Sequence, residues 1–404
     1  MNASHEGGSP RQLTLATISF TVCFYAWALL GPLGPDLQEQ LGLSDTELAL
    51  TISIPVVLGS LMRIPLGVLT DRYGGRRIFT LLMAYTPLPL IGLALFNDSW
   101  GAVLVFAFLL GFAGASFAVG IPFVNHWYPP VRQGFALGIY GMGMGGTVLG
   151  ALTAPRIVDA TNIDVPFWIA AVVLAIMAAV FWSMARDAPE AVQGRTGSML
   201  AALSVFKGKG SARAWALTLF YFMAFGGFVA MFLYLPKLLV DVHGLDKPDA
   251  GARAAGFALL AVAARPIGGW LSDRIGARNV LTWSFVGTIV LAIGLAVSYE
   301  HMVPLTIVCL TMAVFLGLGT GAVFKLVPEW YPDRVGAVTG VVGAAGGLGG
   351  FFPPLVMALV KSETGSYWLG FALMAAVAVI ALVVLRAEGR SARSGQEPTV
   401  AAAS

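Results

Sequence analysis

Apolar residues occupy this chain in long unbroken runs, separated by short polar breaks. About twelve of these runs are long enough to cross a bilayer as helices, at roughly 20 residues each. They predict helices over 12–33, 47–70, 78–96, 100–128, 134–155 and 165–185, then over 213–240, 252–272, 280–298, 303–331, 336–360 and 365–386. The longest polar connection, 186–212, is rich in Gly, Ser, Lys and Arg. It divides the chain into an N-terminal half over 1–185 and a C-terminal half over 213–386. The tail over 387–404, rich in Ala, Ser and Arg, reads as disordered. The pattern predicts an all-α membrane protein of twelve transmembrane helices in two six-helix halves.

Two arginines break that pattern. Arg63 lies in GSLMRIPLGVLTDRYGGRR and Arg265 in AVAARPIGGWLSDRIGAR. Each precedes an Asp-Arg pair, at Asp71 and Asp273, by eight residues. Eight residues of helix rise about 12 Å, which carries each guanidinium well into a membrane roughly 30 Å thick. A charge there costs several kcal/mol unless it faces protein or water, so such an arginine is a functional candidate. The plainer alternatives are a structural ion pair or a side chain that snorkels to the interface.

Position within a repeat favours function. Arg63 and Arg265 are 202 residues apart, as are Asp71 and Asp273. Gly134, Gly138, Gly141 and Gly145 reappear at the same offset as Gly336, Gly340, Gly343 and Gly347. Trp127-Tyr128-Pro129 recurs as Trp330-Tyr331-Pro332, one residue out of phase. Such a duplication points to a transporter whose halves are related by an axis normal to the membrane, with its site between them near the midplane. The glycines lie along one face of helices five and eleven. Small residues at that spacing let backbones approach closely, so these faces serve packing and can also slide or rock during transport.

Composition agrees. At 57% hydrophobic and 11% charged residues, the chain departs from soluble domains, which carry about 25% charge. A net charge of +3 is too small to suggest nucleic acid. Of the 24 Lys and Arg, sixteen fall on the side of the termini and even-to-odd loops and five on the other, where Asp36, Asp45, Asp159 and Asp164 lie. By the positive-inside rule both termini are expected in the cytoplasm. The first eleven residues are polar and the apolar run from Leu13 is too long for a signal peptide, so it is expected to stay as the first helix. Cys23 and Cys309 sit in apolar runs without metal-ligand spacing. No nucleophile with an adjacent base and no paired buried carboxylates are evident, so no catalytic residue, metal or cofactor is expected.

The loops after helices two and eight, GVLTDRYGGRR and GGWLSDRIGARN, carry Asp71, Arg72 and Arg76, and Asp273, Arg274 and Arg278. Each Asp lies near a cytoplasmic helix end, where it can pair with basic residues across the half-interface and hold that side shut. The motif resembles that of the major facilitator superfamily. Finer features resemble its nitrate/nitrite porter (NarK-type) family: LMRIPLG, AARPIGG, GASFAVGIPFVNHWYPPVRQGFALGIYGMGMGG, GVVGAAGGLGGFFPP, GTGAVFKLVPEWYP and YFMAFGGF. The resemblance implies that Arg63 and Arg265 bind the anion, that Phe117, Tyr221 and Phe225 contact it, and that Gly141 lines the cavity. Family members usually carry an Asn in the helix-five glycine motif, where Met144 or Gly145 stands here. That hydrogen bond is then missing or replaced by water, and another small anion such as a carboxylate is the alternative cargo.

Physics fits a planar anion. A guanidinium donates two parallel N–H bonds to two oxygens, a geometry Lys cannot reproduce. Without the anion two such charges repel, so binding should draw the halves together. For coupling, no Asp or Glu lies near the middle of any predicted helix. Lys325 is four residues from Glu329, so the two can pair on one helix face. Lys325 can also snorkel, join the anion path or stand in for a coupling cation. The missing acid favours nitrate/nitrite exchange across the plasma membrane; proton-coupled symport is the alternative. The expected partners are these anions and the lipid bilayer, for a protein working as a monomer.

Overall fold

The computed structural model describes residues 8–189, 204–207, 211–364 and 366–394. The core of the predicted linker, 190–203 and 208–210, and the last part of the tail, 395–404, lie outside the described residues. The rest forms twelve helical rods: α1 (Pro10–Ala28), α2 (Asp45–Tyr73), α3 (Gly75–Leu95), α4 (Trp100–Asn125), α5 (Pro130–Ala160), α6 (Asp164–Met184), α7 (211–243), α8 (Lys247–Ile275), α9 (Ala277–Ser298), α10 (Met302–Trp330), α11 (Val335–Thr364) and α12 (Trp368–Ser394). Ten of them, all but α1 and α11, carry described stretches long and apolar enough to cross a membrane.

Three boundaries differ from the sequence expectation for local reasons. The first helix stops at Ala28 rather than at 33, because a proline at 32 disfavours helical backbone at Gly31 before it. The chain turns there and makes a short helix, Gly34–Leu41. The fifth rod starts earlier, at Pro130, where a proline suits the first helical turn. The twelfth continues to Ser394, so the first part of the segment expected to be disordered is helical.

The repeat reaches into the helix caps. α2 and α8 are both 29 residues long. Ser44 caps α2 by accepting the Glu47 N–H, and Asp246, 202 residues on, caps α8 by accepting the Asp249 N–H at 2.7 Å. Both rods end on a glycine with positive φ, Gly74 at 88° and Gly276 at 85°. A side chain is rarely tolerated there, so each glycine allows the sharp turn into the next rod.

The halves meet where α2 packs on α11 and α5 on α8. Backbone touches backbone at these crossings. A Cβ on Gly67 would run into the carbonyl of Gly336, and one on Gly269 into that of Gly134. In a bilayer, close packing of this kind replaces the hydrophobic drive that joins helices in water. The rods also depart from regular α-helix at one depth. α4 tightens to a 3-10 turn at Gly111–Ala115, α5 at Met142–Met144, and α7 widens to a π turn at Phe222–Gly226.

Candidate functional site

The irregular turns surround the two arginines. Arg63 and Arg265 are both only 3% exposed. Nη1 of Arg63, on α2, donates to the carbonyl of Gly343 on α11, and its Nε donates to Gly114 in the 3-10 turn of α4 at 3.3 Å. Nη1 of Arg265, on α8, donates to the carbonyl of Gly141 on α5 at 3.3 Å, just before the 3-10 turn there. Each arginine thus reaches across the interface to a glycine in the other half, and the two glycines are 202 residues apart. A Cβ on Gly343 would lie 3.2 Å from the Arg63 Cδ, and one on Gly141 would lie 3.3 Å from the Arg265 Cδ. Glycine at these positions lets the guanidinium stem lie against the helix.

Aromatic rings join the two charges. The guanidinium carbon of Arg63 lies 5.8 Å from the Phe117 ring centre, and that of Arg265 lies 5.7 Å from Phe225. Between them Tyr221 stacks on Phe117 (6.0 Å, 6°) and on Phe225 (5.0 Å, 3°). The π turn that begins at Phe222 sets Tyr221 and Phe225 parallel, and such bulges recur at functional sites. Cation–π contact offsets part of the cost of burying the two arginines. Opposite charges about 4 Å apart near a protein surface attract by about 4 kcal/mol, the scale on which an anion placed beside these cations would be held.

Arg63, Arg265, Phe117, Tyr221, Phe225 and Gly141 therefore converge, as do Gly343 and Gly347, whose added Cβ would lie 3.4 Å from the Arg63 Nη1. Gly138 and Gly340 sit one turn further along, against the backbone of Arg265 and Arg63. Gly145 stands apart, with only the Val262 Cγ1 within 4 Å of an added Cβ. Met144 is buried in the 3-10 turn. Sequence reasoning missed Phe324, which stands edge-on to both Phe117 (4.7 Å, 77°) and Tyr221 (4.6 Å, 78°). It also missed Tyr140, whose hydroxyl donates to the Ser116 carbonyl at 2.8 Å while its ring stacks on Phe20. Both residues lie in apolar runs, where nothing separates a site ring from a packing ring. An apolar cleft of about 250 Å³, lined by Phe222, Met223, Met231, Phe371 and Met374, opens between α7 and α12 and includes neither arginine.

The loop-motif aspartates accept backbone amides of the opposite half. Asp71 accepts the N–H groups of Gly336 and Ala337 at 3.0 and 2.9 Å, at the start of α11. Asp273 accepts those of Gly134 and Phe135 at 2.9 and 2.8 Å, in the second turn of α5. Gly336 and Ala337 are in the first turn of α11, where a helix leaves its own amides unbonded, and both carboxylates lie toward the positive end of a helix dipole. The arginines of the motif stay with their own half. Arg76 lies over Trp182 and donates to its carbonyl, and Arg72 lies over Tyr73. Arg274 lies over Trp270, and Arg278 over Trp330. The Arg76 N–H also donates to Asp187 at 2.9 Å. Burial pushes the Asp187 carboxyl above its ordinary value, against the pull of these amides and of the Arg76 charge. Lys325 makes its ion pair with Asp273, at 2.9 Å.

A charged site shared by two pseudo-symmetric, membrane-spanning halves defines a two-domain membrane transporter. Residues 16–298 and 242–403 match the Major Facilitator Superfamily. The chain is 43% identical over 381 residues to a Mycobacterium tuberculosis protein named probable nitrate/nitrite transporter NarK2, covering 93% of this chain and 95% of that one. It is 36% identical to a Thermus thermophilus protein named probable nitrate/nitrite antiporter NarK1, covering 92% and 90%. Its fold matches the human organic anion transporter MFSD10 (TETRAN), with a TM-score of 0.80 at 16% identity over 93% of this chain and 100% of that one. The chain belongs to the major facilitator superfamily and, within it, to the nitrate/nitrite porter family.

Proposed function

We propose that this protein carries nitrate and nitrite across the plasma membrane by alternating access, exchanging one for the other. The observation that carries this reading is the pair of buried arginines, one from each half, at the two ends of the Phe117–Tyr221–Phe225 stack. Two planar cations flanking flat rings suit a small planar anion, and a guanidinium can grip two of its oxygens at once. Relatives named as nitrate/nitrite transporters, at up to 43% identity, support the same cargo. Arg63, Arg265, Tyr221, Phe225, Phe117 and Gly141 hold the anion, with Met144 at the edge of the site. Asp71 and Asp273 latch the cytoplasmic side, and the lysine and arginine bias supports both termini lying there as well. The transporter works as a monomer.

The anion supplies the charge that lets two buried cations approach, so the loaded protein rocks more readily than the empty one. That requirement produces exchange. Counterflow tests it: nitrite-loaded proteoliposomes, external labelled nitrate, and a clamped pH gradient. Uptake is expected to depend on internal nitrite. Uptake that follows the pH gradient and ignores internal nitrite would establish proton symport instead. The residues at the place of the helix-five Asn, Met144 and Gly145, offer no side-chain donor, which favours one other cargo, a small carboxylate. A carboxylate that competes better than nitrate would establish it.

A further inference from the structure

The latch at Asp273 includes a lysine that the repeat does not duplicate. Around Asp273, Lys325 of α10 brings a buried ammonium to 2.9 Å of Oδ1, with both side chains only 5% exposed. The same Nζ donates to the carbonyl of Pro130, at the start of α5 in the opposite half. The position equivalent to Lys325 in the first half is Phe123 at the 202-residue offset, or Pro122 at the offset of the Trp-Tyr-Pro repeat. Neither can carry a charge.

Opening that side would change the contacts of Asp273 unequally. The Gly134 and Phe135 amides and the Pro130 carbonyl all belong to α5 and leave with the first half. Lys325 and Asp273 both belong to the second half, on α10 and α8, which pack against each other. A buried carboxylate stripped of all its partners is strongly unfavourable, and one that keeps an ammonium at contact is not. We propose that Lys325 is the resident counter-ion of the Asp273 latch: it stays with the aspartate when α5 departs and so makes opening reversible. Lys325 is a positioning residue in this scheme and does not touch the transported anion. Its bond to the Pro130 carbonyl adds to the closed state, while its pair with Asp273 limits the cost of leaving that state.

The inference rests on the rocking halves of the proposed function but not on the identity of the cargo. Spin labels on Arg77→Cys and Asn279→Cys, exposed in the first turns of α3 and α9 in opposite halves at the latch end, read opening directly as a distance. Wild type is expected to show a short and a long distance. Lys325→Met is expected to shift the population toward the short one and to slow counterflow by roughly tenfold or more, since breaking a buried pair leaves a lone charge. Lys325→Arg keeps the charge and should restore most of both. Asp273→Asn combined with Lys325→Met removes the lone charge and should recover the long distance. Size-exclusion behaviour and retained nitrate binding separate misfolding from a closed latch. A Lys325→Met variant that opens as wild type does, or a double variant as closed as the single, overturns the inference. A single distance in wild type with and without nitrate overturns the rocking halves beneath it.

Discussion

Arg63 and Arg265 occupy equivalent places, and each donates to a glycine carbonyl of the opposite half, yet they are held differently. Arg63 spends Nε on Gly114 as well as Nη1 on Gly343, whereas Arg265 has the single acceptor Gly141 among the described residues. The latches reverse this ordering, since Asp273 has a buried lysine at contact and the equivalent of that lysine is apolar in the first half. Duplication supplied one scaffold twice. In the proposed scheme these departures from symmetry divide the work: α2 holds its arginine as a fixed wall, and α8 carries the freer cation and the charged latch.

The largest effects test that division at the arginines themselves. Replacing either with lysine should lower nitrate counterflow by about 100-fold or more, because a point charge cannot reproduce a two-pronged grip. Arg265→Lys is expected to weaken nitrate binding more, since more of its donors are available. Arg63→Lys should lower thermal stability more, because the Gly114 carbonyl loses its donor. Isothermal titration and melting in detergent check the pair, and equal losses in both assays would make the halves functionally equivalent.

Next come the glycines. A Cβ on Gly138 would meet the Arg265 carbonyl at 2.7 Å, and one on Gly340 would overlap the Arg63 carbonyl. Backbone cannot step aside, so Gly340→Ala and Gly138→Ala should each cost about 1–3 kcal/mol of closure, seen as a more open latch by distance measurement. Gly141→Ala and Gly343→Ala press only on flexible arginine side chains, with Phe117 at an ordinary 3.8 Å from the latter, and should be milder, raising the nitrate KM several-fold. Phe324→Leu removes the ring that stands edge-on to both stacked rings and is expected to cost about 0.5–1.5 kcal/mol of binding.

The smallest effect lies at Asp187, which bonds the start of α3. Its folded-state pKa is raised, so relative to Asp187→Asn its contribution is fully present at low pH, below the unfolded value. That contribution is lost as pH rises through the raised one. Melting curves of the two proteins should therefore converge, or cross in favour of asparagine, on going from acid to neutral pH.

Much of the architecture was legible because membrane helices declare themselves by hydropathy and a duplicated chain repeats its landmarks. The offset shared by Arg63 and Arg265 marks them as mates, and it extends to caps at Ser44 and Asp246 that the hydropathy pattern does not mark. What escaped was set by contact between distant segments. Periodicity cannot distinguish Phe324 at the stack from a ring in the lipid-facing wall. The π turn after Tyr221 is a backbone choice that an apolar stretch does not announce. The aspartates drew attention to neighbouring arginines because charge is visible in sequence, whereas the amides that bind them belong to every residue and are visible only once helices are placed.

Those amides give the latches a kinetic property. Asp71 and Asp273 close onto N–H groups held rigid by the helix that carries them. A clasp between two long side chains must find one arrangement among many rotamers at every closure, and loses up to about 2 kcal/mol of rotational freedom per chain in doing so. Here one partner has no rotamers to search and the other is a short carboxylate. If these contacts are the latch, as proposed, re-closing is paced by the movement of whole helices, and each transport cycle can reset without waiting for a side chain to find its place.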